Sequence, residues 1–317
     1  MKLKLLILSG LLLCINNTFA QTHTQEVGIV SENDSFLAQG SDRYYTNGLF
    51  IYYNQALTVP EGTSLANKVL GIEVGQKIFN PISGSVPDKS YIDRPFAGYL
   101  YLGSSLNLLY KNESNLKLGA QVGVVGPAAL GRQAQQVIHD TFGFYELNGW
   151  QYQVKNNVQI NLSAEYNRLL ARGGDADVSL TSYANVGTGF NGVGVGPMFR
   201  IGNFNQLFNS YSTQSTAIKN RTAEPLHKYE LFLFYKPLFN YVAYDATVQG
   251  NIFKNKDDAN EVTLTPKHIM ISNQIGLAYG GSRWMAQLSA TFHTRDVKEM
   301  MKSSHQWGTA ALYYRFN

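Results

Sequence analysis

The chain has 317 residues, with 26 Lys and Arg against 22 Asp and Glu, a formal net charge of +4 that falls to +2 once Lys2 and Lys4 of the leader are set aside. That balance is too weak and too dispersed for a nucleic-acid binder, whose basic residues cluster on one face. With 20 Tyr, 17 Phe and 29 Gly but only 15% charged residues, the composition is also unusual for a soluble enzyme, and no apolar run after the leader is long enough for a membrane helix.

Lys2 and Lys4, an apolar run from Leu5 to Leu13, and Thr18-Phe19-Ala20 form the pattern of a secretory signal peptide cleaved after Ala20. The one cysteine, Cys14, lies inside that leader. Residues 21–317 are therefore expected to carry no thiol, no disulfide and no Cys-based zinc site. No Pro- or Ser-rich linker divides them, so they read as one domain.

The first strand ends in a polar edge, Glu32-Asn33-Asp34-Ser35-Phe36, followed by Asp42-Arg43-Tyr44-Tyr45-Thr46-Asn47-Gly48. Asn33 and Asp34 suit an Asx-turn, the ordinary use of these residues at a strand end. Adjacent side-chain oxygens also suit a hard cation such as calcium. Thr46 reads either as a strand residue of high β-propensity or as part of the same polar set, and Asp93-Arg94 further on could be a local ion pair.

From Asn115 to Val124 the residues Leu116, Leu118, Ala120, Val122 and Val124 alternate with Asn115, Lys117, Gly119, Gln121 and Gly123. Leu130 to His139 then reads as a short helix with Leu130, Ala134, Val137 and Ile138 on one face and His139 beside it. A histidine there is either a partly buried loop residue or a general base working near neutral pH. Strict alternation returns at Gln159 to Asn167, with Ile160, Leu162, Ala164 and Tyr166 on one face, and at Arg283 to His293, with Trp284, Ala286, Leu288, Ala290 and Phe292. A period of two over such lengths marks strands. The aromatic last strand (Leu312, Tyr314, Phe316), the leader and the tyrosine excess favour a transmembrane antiparallel β-barrel over a soluble sandwich.

Gly187-Thr188-Gly189-Phe190-Asn191-Gly192 matches a dinucleotide fingerprint, but Val193-Gly194-Val195-Gly196-Pro197 follows where the fingerprint needs a helix. A glycine bend within a strand is the expected reading. No G-x-S-x-G or H-E-x-x-H sequence is present, which argues against classical serine or zinc hydrolysis. His23, His227, His268, His293 and His305 lack comparable polar company and read as structural or surface residues.

Thirteen runs qualify as strands, near residues 25–31, 46–57, 70–79, 98–109, 115–125, 152–170, 177–187, 193–201, 227–236, 239–249, 267–279, 282–293 and 307–316. Bacterial single-chain barrels have even strand numbers, short periplasmic turns and longer outer loops. Merging 177–201 into one bent strand gives twelve strands with short helical segments in the outer loops. Segments near 58–69, 110–114, 171–176, 237–239 and 280–282 then lie on the periplasmic side. The outer side receives 32–45, 80–97, 126–151, 202–226, 250–266 and 294–306, and with them Asn33, Asp34, Asp93, Arg94 and His139.

Asn33-Asp34-Ser35-Phe36, Asp42 to Gly48, Gly75-Gln76-Lys77-Ile78-Phe79-Asn80-Pro81, Asp93-Arg94-Pro95-Phe96-Ala97-Gly98, Gly126-Pro127 with Leu130-Gly131, His139 and Gly149-Trp150 occur in the order seen in the lipid A 3′-O-deacylase family of Gram-negative outer membranes. The chain resembles that family over most of its length, most densely before Trp150. The resemblance implies a twelve-stranded barrel that removes the 3′-linked acyloxyacyl chain of lipid A with the help of a divalent cation, calcium. It implies His139 as the base, Asn33 and Asp34 as site residues and calcium ligands, and Thr46 as a further polar group. The family's glutamate after the histidine falls on Glu146, with Asp140 in competition. Arg94 is the expected ligand for lipid A phosphate, and no protein partner is implied. The rival readings are a porin-like or adhesin barrel without catalysis, and an outer-membrane phospholipase.

Overall fold

The computed structural model describes residues 23–37, 42–220, 223–253 and 260–317, and the leader with Cys14 lies outside them. Twelve antiparallel strands close into one barrel: β1 (Gln25–Asn33), β2 (Tyr45–Ala56), β3 (Leu65–Phe79), β4 (Ala97–Tyr110), β5 (Ser114–Val125), β6 (Asn157–Gly173), β7 (Ala176–Gly187), β8 (Phe190–Asn203), β9 (Glu230–Asp245), β10 (Ile269–Gly280), β11 (Trp284–Thr294) and β12 (Ser304–Phe316). Closure is made by β1 against β12, from Gln25 opposite Phe316 to Asn33 opposite Gly308. No helix of the described residues is long and apolar enough to cross a membrane; the strands do so, as the composition predicts.

The alternation maps onto an inside-out arrangement. On β6, Val158, Ile160 and Leu162 are exposed while Gln159, Asn161 and Asn167 are buried. On β11, Trp284, Leu288 and Phe292 face outward and Met285 inward. Apolar side chains at every second position thus form a lipid-facing band, and the polar ones hydrogen-bond across the lumen. Buried tyrosines and phenylalanines, among them Tyr99, Tyr101, Tyr211, Phe232 and Tyr313, fill much of the interior between those polar groups.

Twelve is the right number, although two expected boundaries were misplaced and their errors cancel. The 177–201 run is two strands, not one: β7 and β8 form a hairpin with Thr188-Gly189 at its tip, where the Asn191 side chain bonds the Gly187 N–H and carbonyl. The fingerprint look-alike is therefore a turn and not a bend. Conversely, 227–236 and 239–249 belong mostly to one strand, β9, which runs through Pro237. Val195 pairs with Phe239 and Phe199 with Tyr235, so Pro197 and Pro237 face each other in a gap in the ladder. A proline has no N–H to give, and opposing two of them confines the loss to one place.

Splitting β7 from β8 moves the next connection. Residues 204–220 and 223–229 lie at the end of the barrel where β1 starts and β12 finishes, not with the loops around Asp34 as expected. From there the chain turns into the lumen. The buried Arg200 clamps Asp177 through Nε–Oδ1 (2.9 Å) and Nη2–Oδ2 (2.6 Å) and donates to Ser210 Oγ at 2.8 Å. Glu230 accepts from the Asn205 and Tyr211 N–H groups, each at 2.8 Å. Asn67 reaches Ser215 and Ala217, Asn107 reaches the Thr213 carbonyl, and Thr216 donates to Glu26. Inward-facing polar side chains of strands all round the barrel thus hold an internal plug.

Candidate active site at the barrel rim

At the opposite rim, the connection between β5 and β6 contains α1 (Gly131–Phe142). Its buried residues are Gly131, Gln135 and His139, spaced four apart and therefore on one face. Leu130 and Val137 of the expected apolar stripe are instead exposed, at 49% and 65%. On a barrel rim an apolar stripe need not face the core. Gly131 allows close docking, because a Cβ there would meet the Gly98 Cα of β4 at 3.0 Å. Trp150 Nε1 donates to Gln135 Oε1 at 3.1 Å and holds the middle of the helix.

Gly143 ends α1 in the left-handed region, with φ 70°, and both its N–H and that of Phe144 point back to the His139 carbonyl. That reversal returns the chain over the imidazole. The Tyr145 carbonyl lies 2.7 Å from His139 Nδ1 and accepts its proton, while the Tyr145 ring stands edge-on to the histidine at 4.7 Å. The neighbouring Glu146 is exposed and takes no part in these contacts. Asp140 is also exposed and accepts from Gln136 Nε2 on the outer side of the helix. Neither acid touches the His139 ring; the backbone of Tyr145 does.

The other ring nitrogen faces the first connection of the barrel. His139 Nε2 lies 3.0 Å from Asp42 Oδ2, off the line of a hydrogen bond, and this buried nitrogen has no hydrogen-bond partner among the described residues. Tyr145 Oη donates to the same Asp42 oxygen at 2.7 Å. Asp42 Oδ1 accepts from Thr46 Oγ1 at 3.1 Å, and Thr46 Oγ1 is 3.3 Å from Asp34 Oδ1. Asp34 Oδ2 accepts the Arg43 N–H at 2.8 Å. His139, Asp42, Thr46 and Asp34 thus form one chain of polar contacts, and all but Asp42 were named from the sequence.

Asn33 makes the Asx-turn that its place at a strand end suits. Its Oδ1 accepts the Ser35 N–H at 2.7 Å, an Asx-turn that ends β1, and its Nδ2 donates to Asn47 Oδ1. The amide is thereby taken up beside the site, and the acidic partner of Asp34 is Asp42.

Arg94 is also not where the sequence suggested. It is fully buried in the barrel interior, with Nε donating to Asp296 Oδ2 at 2.9 Å, Nη2 to Thr247 Oγ1 at 3.0 Å, and its guanidinium 4.2 Å from the Phe79 ring centroid. Asp93 does not pair with it. Asp93 accepts from Tyr44 Oη and from the Ile82 and Met301 N–H groups, tying three rim loops together.

Burial pushes the Asp34 carboxyl up to about 6, and the Asp42 charge adds to the rise against hydrogen bonds from Arg43, Thr46 and Ser35. Two carboxylates meeting at one hydroxyl, beside an unpartnered buried nitrogen, concentrate negative charge that a cation would relieve. The donors are all oxygen, the set a hard cation of the calcium class takes. A cavity of about 190 Å³ opens beside Asp34, lined also by Arg43, Tyr44 and Lys302. The larger cavity, about 680 Å³, lies in the lumen, and neither Asp34, Thr46 nor His139 lines it.

Asp42 and Tyr145 were missed. Asp42 stood in the motif that opened the site, but its partner is remote in sequence. Tyr145 acts on the ring through its carbonyl, which no side-chain pattern can reveal.

The family model for the outer membrane protein LpxR matches residues 5–316. Compared by sequence with curated proteins, the chain finds no match. Among solved structures, LpxR from Salmonella typhimurium is 21% identical, covering 92% of this chain and 100% of that one with a TM-score of 0.72. The β domain of the Bordetella autotransporter BrkA is 8% identical, covering 93% and 99%, with a TM-score of 0.47. The chain is an outer-membrane β-barrel and belongs to the LpxR family, the lipid A 3′-O-deacylase family that its motifs resemble.

Proposed function

We propose that this chain is a carboxylic ester hydrolase that removes the 3′-linked acyloxyacyl chain of lipid A, with His139 as general base at the rim site. The observation that carries the reading is the state of the His139 ring. Nδ1 is fixed by the Tyr145 carbonyl, and Nε2 lies 3.0 Å from the Asp42 carboxylate without a hydrogen-bond partner among the described residues.

Donation of the Nδ1 proton to Tyr145 sets the tautomer and leaves the lone pair on Nε2. Nε2 takes a proton from water as its oxygen adds to the ester carbonyl carbon. The tetrahedral adduct then expels the sugar oxygen, which receives that proton from His139, and the acyloxyacyl chain leaves as a free acid. Asp42, 3.0 Å from Nε2, stabilises the imidazolium present between the two transfers. The Tyr145 hydroxyl holds that carboxylate in place. A divalent cation held by Asp34, Asp42 and Thr46, for which calcium is the fitting class, would supply Lewis-acid stabilisation of the oxyanion when bound.

The surroundings suit a lipid with phosphate groups. Arg43 and Lys302 beside Asp34 take over the phosphate role that the sequence had given to Arg94. Leu130, Val137, Phe142 and Phe144, all exposed on α1 or next to its ends, offer an apolar surface to acyl chains. Apart from 204–229, the long connections share the rim with His139, and in bacterial barrels long loops face outward. An outward-facing rim supports a site at the outer leaflet, where lipid A lies. The plug weighs against a porin-like reading. The test is one assay offering lipid A and phosphatidylethanolamine to the purified protein, with and without chelator. Cation-dependent loss of the 3′ chain supports the proposal; cleavage of the phospholipid alone replaces it with a phospholipase, and cleavage of neither removes catalysis.

A further inference from the structure

His293 and His305 are direct cross-strand partners on β11 and β12, and both face the lumen; Asp296 follows β11 in the next connection. His305 Nε2 lies 3.3 Å from His293 Nδ1 and 3.2 Å from Asp296 Oδ1, and His293 Nδ1 lies 3.4 Å from the same carboxylate oxygen. The three donor atoms form a nearly equilateral triangle. Its edges exceed the usual length of a hydrogen bond between nitrogen and oxygen, about 2.9 Å. They equal the edge of a tetrahedron around a metal with ligand bonds of about 2.0–2.1 Å, which is roughly 3.3 Å.

We infer that His293, Asp296 and His305 bind a divalent transition ion of the zinc class, in a lumenal site that shares no side chain with the His139–Asp42–Thr46–Asp34 chain, although His305 also borders the cavity beside Asp34. Two imidazoles and one carboxylate oxygen are a ligand set for zinc, or for iron, and not for calcium, which wants oxygen alone. The site has an outer shell. Arg94 Nε holds Asp296 Oδ2 at 2.9 Å, leaving Oδ1 for the triangle, so the guanidinium orients the ligand carboxylate. Arg94 Nη2 also donates to Thr247 Oγ1, which donates in turn to Asp245 Oδ1 at 2.7 Å, and this fixes the guanidinium. Trp307 and Tyr44 pack their rings against His305, with centroids 5.5 and 5.8 Å away. His293, Asp296 and His305 all line the cavity of about 680 Å³, so the fourth coordination position faces its solvent.

Binding must displace a proton. His293 Nδ1 lies 2.6 Å from the Thr294 carbonyl and donates to it in the metal-free state; that proton leaves when the lone pair goes to the ion. The bound ion ties β11, β12 and the 295–303 loop together. The backbone of that loop donates from Met301 to Asp93 and from Lys302 to Tyr44 at the rim. The inference stands on these three side chains and does not depend on the rim site being an esterase.

The test is titration of chelator-stripped, full-length protein in detergent with Co²⁺, in the presence of excess Ca²⁺ to fill hard-cation sites. One equivalent should bind with the strong visible absorption of four-coordinate cobalt, and a proton should be released. The bands should vanish in His305→Gln and His293→Gln and persist in His139→Gln, each shown to be folded by heat-modifiable gel mobility. X-ray absorption of the unmutated, zinc-loaded protein, which needs no variant, should report two imidazole nitrogens and a short oxygen. Failure to retain cobalt, bands unchanged in His305→Gln, bands lost only in His139→Gln, or an all-oxygen zinc shell would each overturn the inference.

Discussion

His139 Nε2 and Asp42 Oδ2 stand 3.0 Å apart, and this contact joins α1 to the connection between β1 and β2. Asp42 is also the group through which Thr46 and Asp34 reach the histidine. Removing its charge while keeping its shape should therefore reach both ends of the site.

Asp42→Asn should lower deacylation by about 10- to 100-fold, the range for groups that orient and charge-balance a catalytic residue. Glu146→Gln and Asp140→Asn should stay near the unmutated rate, because both acids are exposed and outside the contacts of His139. Parallel rates of the three variants on purified lipid A make the comparison. A large loss in Glu146→Gln would return the acidic role to Glu146.

Proton and cation should compete at Asp34. Its carboxyl sits at about 6 in the folded chain against an ordinary 3.8, so the folded state holds this proton more tightly than the unfolded chain does. The associated stability is fully present below about pH 3.8 and is lost as pH rises through about 6. Cation binding needs the ionised form. Calcium affinity should thus be flat above about pH 7 and fall about tenfold per pH unit below about 6. Equilibrium binding across pH 5 to 8 reads this directly, and an affinity unchanged over that range would exclude Asp34 as a ligand.

Arg94→Ala should damage stability more than substrate affinity. The buried guanidinium is paired with Asp296, and removing one partner of a buried pair typically costs about 3–5 kcal/mol. Urea unfolding in detergent should show the loss, and KM for lipid A should change little in the protein that remains folded. A raised KM with unaltered stability would restore the phosphate role.

The plug makes a parallel claim at the other end. Arg200→Ala leaves Asp177 buried with only the partly exposed Arg172 as a cationic partner, and should cost on the order of 3 kcal/mol. In planar bilayers the unmutated protein should conduct poorly, and loosening the 204–229 segment by this substitution should raise conductance. A high open conductance in the unmutated barrel would contradict the plug.

What could be read from the sequence follows from which interactions are local. Alternation from Gln159 to Asn167 or from Arg283 to His293 fixes which side faces lipid, because a strand presents successive residues to opposite faces. Glycines and prolines were the weak points: Thr188-Gly189 turns the chain where a bend was expected, and Pro237 passes through a strand where a break was expected. The first error sent 204–229 to the wrong end. Asp34, Thr46 and His139 were visible through motif resemblance. Asp42 and Tyr145 were not, since one gains its meaning from a remote partner and the other from its backbone. Arg94 sits in a rim-like motif, yet Asp296, much later in the chain, draws it into the lumen.

The most direct test is mass spectrometry of lipid A from outer membranes that carry either the unmutated chain or His139→Ala, matched for folded barrel by heat-modifiable mobility. Loss of a histidine base should slow the reaction by about 10²- to 10⁴-fold. The account predicts lipid A lacking its 3′-linked acyloxyacyl chain with the unmutated protein and intact lipid A with His139→Ala. Equal cleavage by both would contradict it.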